Sequence, residues 1–109
     1  MRVASKYHNQ PVWSELCQRT FHSKAERERG EGLRLRELAG DIEDLRYQVA
    51  FTLGKDPYTR RPVKIIIDFA YHEDGKEVYE DVKGKMTKDA RVKLSWLAAQ
   101  GVHVEIVKA

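Results

Sequence analysis

Two apolar segments joined by a tight turn confine this chain to a fold that contains a β-sheet. Residues 63–71 form the first segment, Asp74-Gly75 the turn, and residues 77–82 the second segment. An Asp-Gly pair between two such segments favours a two-residue hairpin, because its central positions adopt positive φ. The pattern therefore predicts two antiparallel strands, and the isoleucine run at residues 65–67 predicts burial on both faces of the first strand.

Further periodic segments complete an α/β pattern. Ser23-Lys-Ala-Glu26 is a capping-box sequence that opens a helix ending at Gly40. Alternating apolar residues predict a strand over residues 45–53, while residues 87–100 predict a second helix and residues 102–106 a last strand. This order predicts an α/β fold with a mixed four-stranded sheet flanked by helices. Residues 1–20 have no clear period and are expected to be an N-terminal arm before a domain of residues 21–109.

Length and composition narrow the class of protein. The chain has 109 residues, a formal net charge of +3 and one cysteine. We therefore expect one domain without an internal disulfide or a cysteine-rich zinc site. No apolar run reaches the ~18 residues that a membrane span needs, and the first residues lack the apolar region of a signal peptide. A cytoplasmic protein is the simplest interpretation.

Two acids and a lysine near the predicted hairpin form the most informative motif. Asp68 follows three isoleucines, and Asp81 lies two residues before Lys83, so the latter pair shares one strand face. Two carboxylates and an ammonium group can hold Mg²⁺ against a phosphate and activate water. The alternative is that Asp68 makes a structural salt bridge with Lys83 or Arg61.

Two other polar residues allow two interpretations each. Glu26 is fully explained as the third residue of a capping box, which the spacing favours, but a first-helix glutamate facing the sheet could also serve as a third metal ligand. Gln48 could contact the water near a metal or simply face solvent, and solvent is favoured.

Basic residues flank both acidic motifs. Such cations are suited to holding a polyanion, although a lysine run taken alone more often marks a solvated helix face. The candidates for contact with nucleic-acid phosphates are Arg60, Arg61, Lys85, Lys88 and Arg91.

With these motifs in view, the chain resembles the PD-(D/E)XK nuclease superfamily, and within it the small phage-associated endonuclease-like or Holliday junction resolvase-like proteins. In this sequence Ile67 stands at the position of the proline that names the superfamily. Gln18-Arg-Thr20 stands where a glycine is often found, shortly before the phenylalanine at position 21. The similar blocks span most of the chain: Ser5-Lys-Tyr-His-Asn9, Phe21-His-Ser-Lys-Ala-Glu26, residues 45–48, Ile67-Asp-Phe-Ala-Tyr71 and Glu80-Asp-Val-Lys-Gly84.

The resemblance implies a restriction-endonuclease-like core in the order α-β-β-β-α-β. It implies Mg²⁺ bound by Asp68 and Asp81, with Mn²⁺ as a substitute, Lys83 as the catalytic lysine, and Glu26 as the acid that completes the site. For a phage-encoded chain the compartment would be the cytoplasm of the bacterial host.

We therefore expect a Mg²⁺-dependent DNA endonuclease that acts on branched or junction DNA. Symmetric cutting of two strands by so small a domain would call for a homodimer. The alternative is a nucleic-acid-binding or assembly protein on a nuclease scaffold that does not cut, and a third option is a subunit that cuts only with a partner.

Overall fold

The structure is a computed structural model that describes residues 10–109, and its elements follow the predicted order. Within these residues no helix is long and apolar enough to cross a membrane. The elements are β1 (Val12–Ser14), β2 (Arg19–Phe21), α1 (Lys24–Leu38), β3 (Glu43–Lys55), β4 (Pro62–Glu73), β5 (Lys76–Lys83), α2 (Lys88–Ala99) and β6 (Val104–Lys108).

A four-stranded mixed sheet in the order β3-β4-β5-β6 confirms the predicted fold class. The β3–β4 and β4–β5 pairs are antiparallel, and the β5–β6 pair is parallel. The first three of these strands extend beyond the predicted limits, because backbone pairing continues past the apolar pattern. The last strand begins two residues later than predicted, since the Val102 amide donates to the Leu97 carbonyl at the end of α2 (3.2 Å).

Residues 12–21 form an antiparallel hairpin of β1 and β2, where the sequence predicted an irregular arm. The hairpin packs on α1, and the Ser14 hydroxyl donates to the Glu31 carboxylate of that helix (2.6 Å). Strands of three residues are too short to show an alternating pattern, so their origin lies in this docking. The expectations for residues 1–9 lie outside the described part of the chain.

Two apolar clusters stabilise the sheet, one for each helix. Leu33 of α1 packs with Phe21, Ile42, Phe69 and Tyr71. The second cluster joins α2 to the sheet through Leu97, Leu53 and Ile67.

The isoleucine run of β4 is buried on one side only, so the prediction of burial on both faces was wrong. Ile67 is buried, but the Ile66 side chain is 56% exposed. Helix α2 packs on the side of Ile65 and Ile67, so it does not cover Ile66.

Helix α1 begins as the capping box predicts and runs through both of its glycines. The Ser23 hydroxyl accepts from the Glu26 amide (3.1 Å). Its buried positions are Glu26, Gly30 and Leu33, whereas Leu35 and Leu38 are exposed. Gly30 lets the helix approach the Phe21 ring, because a Cβ atom there would lie 2.7 Å from Phe21 Cζ.

The two glycines of α1 should respond oppositely to alanine. Gly30→Ala should destabilise the protein by about 1–3 kcal/mol, because the added methyl overpacks against Phe21. Gly32→Ala has open space around its Cβ and should stabilise by about 0.5–1 kcal/mol through helix propensity. Urea denaturation of both variants measures the difference, and equal effects would contradict the close approach at Gly30.

Candidate active site

Strands β4 and β5 part at Asp68 and Asp81, and the two carboxylates bond to the backbone at that point. Direct pairing of the strands ends at Phe69 and Glu80. Beyond it, the Asp68 amide donates to Asp81 Oδ1 (2.9 Å), and the Val82 amide donates to Asp68 Oδ2 (2.9 Å). Buried amides need such acceptors, so the acids replace the lost backbone bonds and are held side by side.

Lys83 lies against this pair as its spacing predicts. Lys83 Nζ is 3.0 Å from Asp81 Oδ2, and Asp81 is buried. The predicted structural alternative, a salt bridge of Asp68 with Lys83 or Arg61, is not what the structure shows: Lys83 pairs with Asp81, and Arg61 is exposed on the surface.

Glu26 is capped by Ser23 through its backbone and is a site residue through its side chain. Its amide completes the cap with Ser23, while its carboxylate accepts from Gln48 Nε2 (3.2 Å) and is buried. His22 lies at the outer side, with Nδ1 3.7 Å from Glu26 Oε1. The first turn of α1 thus carries an acid to the sheet at the place where the strands part.

Gln48 joins the acid of the helix to the acid of the sheet. Its amide donates to Glu26 Oε2 and to Asp68 Oδ1, both at 3.2 Å. The expectation that Gln48 faces solvent was wrong. Gln48 has a φ of 52° inside β3, a backbone conformation that no local sequence pattern signals. Only its place in one of the similar sequence blocks pointed to it.

The acids create an excess of negative charge in a partly dry site. Burial raises the pKa of Asp68 to about 7; the hydrogen bond from the Val82 amide opposes this, and the nearby Asp81 and Glu26 charges add to it. Burial also raises the pKa of Glu26, against the effect of the His22 charge. Lys83 alone does not balance three carboxylates.

A second network fixes β5 from the other side of the strand. Arg29 of α1 binds Glu80 through two hydrogen bonds of 2.7 Å, and the Tyr71 hydroxyl also donates to Glu80. Burial acts to raise the pKa of Glu80, but the bonds from Arg29 and Tyr71 outweigh it and lower the pKa. Glu80 is therefore a structural anion.

The donor set suits a hard divalent cation, although it is not arranged around one in this conformation. Carboxylate oxygens from Glu26, Asp68 and Asp81 and an amide oxygen from Gln48 are ligand types that Mg²⁺ prefers. Among residues 10–109, no three acidic, histidine or cysteine side chains surround a common point. The raised pKa of Asp68 fits a site that gains from added positive charge.

The predicted phosphate contacts are exposed, and the fold does not gather them around the acids. Arg60 and Arg61 lie in the turn between β3 and β4, and Arg61 is seven residues, or about 23 Å of strand, from Asp68. The others follow β5 and occupy the start of α2: Lys85, Lys88 and Arg91.

Comparison with known protein families adds one assignment. A family model described as "Protein of unknown function (DUF1064)" matches residues 4–107. The chain belongs to this family. No curated protein and no solved structure matches it. All five residues of the cluster, Glu26, Gln48, Asp68, Asp81 and Lys83, lie within the matched range.

Removing the Asp68 charge should stabilise the metal-free protein at high pH. Because the folded pKa of about 7 lies above the ordinary 3.8, the folded state binds this proton more tightly. Its contribution to stability is full below about pH 4 and is lost as the pH rises through 7. Asp68→Asn should therefore raise Tm relative to the unsubstituted protein more at pH 8 than at pH 5, in EDTA. An equal difference at both pH values would contradict the raised pKa.

Proposed function

We propose that the protein is a metal-dependent endodeoxyribonuclease that hydrolyses phosphodiester bonds. The observation that carries the proposal is the cluster of Glu26, Gln48, Asp68, Asp81 and Lys83, which four separate elements bring together where two strands part. A structural ion pair would need one acid and one base, whereas this site holds three acids, and Lys83 pairs with only one of them. Such an excess suits a cation and a phosphate together.

Each residue has a distinct role in this proposal. Asp68, Asp81 and Glu26 would hold Mg²⁺, with Mn²⁺ as a substitute, and Gln48 keeps Glu26 and Asp68 in place. When bound, the ion would supply positive charge to the phosphate and lower the pKa of water. Lys83, which pairs with Asp81, would stabilise the negative charge that develops on the phosphate oxygens.

The finer parts of the proposal concern substrate, assembly and compartment. We propose branched or junction DNA as the substrate, because the chain resembles resolvase-like proteins. Cutting both strands symmetrically requires a homodimer, and the proposed compartment is the cytoplasm, that of the bacterial host for a phage-encoded chain.

Cleavage of labelled DNA tests the reaction. A four-way junction and a linear duplex of the same sequence should be compared in Mg²⁺ and in EDTA. We expect Mg²⁺-dependent cleavage of the junction, reduced about 100–1000-fold in Lys83→Ala because the developing charge loses its partner. Lys76→Ala, which removes an exposed lysine at the β4–β5 turn, should cut normally. Normal cutting by Lys83→Ala would refute the assignment, and equal cutting of both substrates would refute junction specificity.

Thermal unfolding tests the cation site without reference to activity. Mg²⁺ should raise Tm of the unsubstituted protein, because a ligand that binds only the folded state stabilises it. The effect should be lost in Asp81→Asn and kept in Asp74→Asn, an exposed turn residue that gives the same change of charge.

One observation favours the alternative of a binding or assembly protein that does not cut. The carboxylates of Asp68 and Asp81 each accept a backbone hydrogen bond, which gives both acids a structural role of their own. A Tm that does not respond to Mg²⁺, together with DNA binding, would select this alternative.

A further inference from the structure

Strands β3 and β4 continue as a two-stranded arm beyond the rest of the sheet. The arm consists of residues 49–67, because β4 and β5 stop pairing at Phe69 and Glu80 while β3 and β4 remain paired as far as Lys55 and Pro62. The acids of the candidate active site lie at its base. The turn at its tip holds Arg60 and Arg61.

The two sides of the arm differ sharply. One side packs on α2 through residues such as Phe51, Leu53 and Ile65. The other side carries two neighbouring cross-strand pairs, and all four of their residues are exposed. Two residues further toward the base lie Gln48 in β3 and Asp68 in β4. These pairs are Ala50 with Ile66 and Thr52 with Lys64.

The arm also accounts for the net positive charge of the chain. Lys55, Arg60, Arg61 and Lys64 oppose the single acid Asp56, so its net charge is +3, equal to the formal net charge of all 109 residues. The rest of the sequence is therefore neutral in sum. A polyanion would therefore meet a net positive charge on the arm.

The one acid of the arm is directed into its own turn. Asp56 Oδ1 accepts from the amides of Tyr58 (2.8 Å) and Thr59 (3.2 Å), and the Arg60 amide donates to the Asp56 carbonyl (2.8 Å). This compact turn leaves the arginines exposed and holds Tyr58 almost fully in solvent, at 93% exposure.

We infer that the open side of the arm binds the backbone of double-stranded DNA and guides it into the cluster of acids. Lys64, Arg60 and Arg61 contact successive phosphates, the Thr52 hydroxyl donates to another, and Ala50 and Ile66 give an uncharged floor against the sugars. The inference rests on the proposed function for the end of the DNA that lies at the acids. From Asp68 to Arg61 the arm spans about 23 Å, or about seven base pairs.

Binding of a linear duplex in EDTA tests the surface apart from cleavage. Arg60→Ala/Arg61→Ala removes two charges at the tip. Lys76→Glu gives the same change of net charge at the opposite end of β4 and serves as the matched control. The double variant should bind roughly tenfold more weakly, with the slope of log affinity against log salt reduced by about 2, because two phosphate contacts are lost. The control should keep the slope of the unsubstituted protein.

Equal binding by the double variant and the control would overturn the inference, as would no binding by the unsubstituted protein. A double variant that binds DNA normally but changes the mass of the protein in solution would overturn it too, since the arm would then contact a second copy. Arginine-dependent binding without cleavage by the unsubstituted protein would refute the proposed nuclease and leave the arm inference standing. Cleavage that is equally fast in the double variant and the control would refute the arm inference and leave the proposed nuclease standing.

A second measurement uses the length of the arm. A substrate with fewer than about seven base pairs of duplex beyond the cut should be cleaved more slowly by the unsubstituted protein. The double variant should lose this dependence on length, because the tip no longer contributes.

Discussion

Two backbone-to-carboxylate hydrogen bonds, from the Asp68 amide to Asp81 and from the Val82 amide to Asp68, are the interaction on which the rest of the site depends. Where β4 and β5 part, the backbone amides would be left without acceptors in a partly buried place. The carboxylates of the two strands supply those acceptors reciprocally. The same contacts open the sheet and place two acids side by side, so the strand geometry and the chemistry of the site have one cause.

The electrostatic cost of this arrangement explains why other parts of the fold surround it. Three acids in a partly dry space disfavour their charged forms, as the raised pKa of Asp68 shows. Gln48 reduces this electrostatic cost by donating to Glu26 and Asp68, and Lys83 offsets the charge of Asp81. The pKa values of Asp68 and Glu26 nevertheless stay raised, because burial outweighs these contacts.

The sequence predicted the parts of this structure that follow from short-range rules. Asp81 and Lys83 share a strand face because the period of a strand is two, and Asp74-Gly75 sets the hairpin that brings Asp68 opposite Asp81. Glu26 was ambiguous for a physical reason, since its amide donates to the Ser23 cap of α1 while its carboxylate enters the site.

Other features depend on tertiary contacts that no local pattern contains. The role of Gln48 requires a positive φ within β3, and β1 and β2 exist as strands through docking on α1. Ile66 is exposed because β3 and β4 extend beyond the elements that cover them. Three isoleucines in a row are compatible with either burial pattern, so only the fold decides between them.

The fork that Arg29 makes with Glu80 has a consequence for the alignment of β5. Glu80 and Asp81 are adjacent acids, and a slip of one residue would turn every side chain of the strand over, exchanging these two carboxylates. Because both are anions, charge alone would hardly oppose that error. The two bonds from Arg29 and the hydroxyl of Tyr71 fit the longer glutamate side chain. The ion pair between Arg29 and Glu80 thus favours the native register of β5, which keeps Asp81 where β4 and β5 separate.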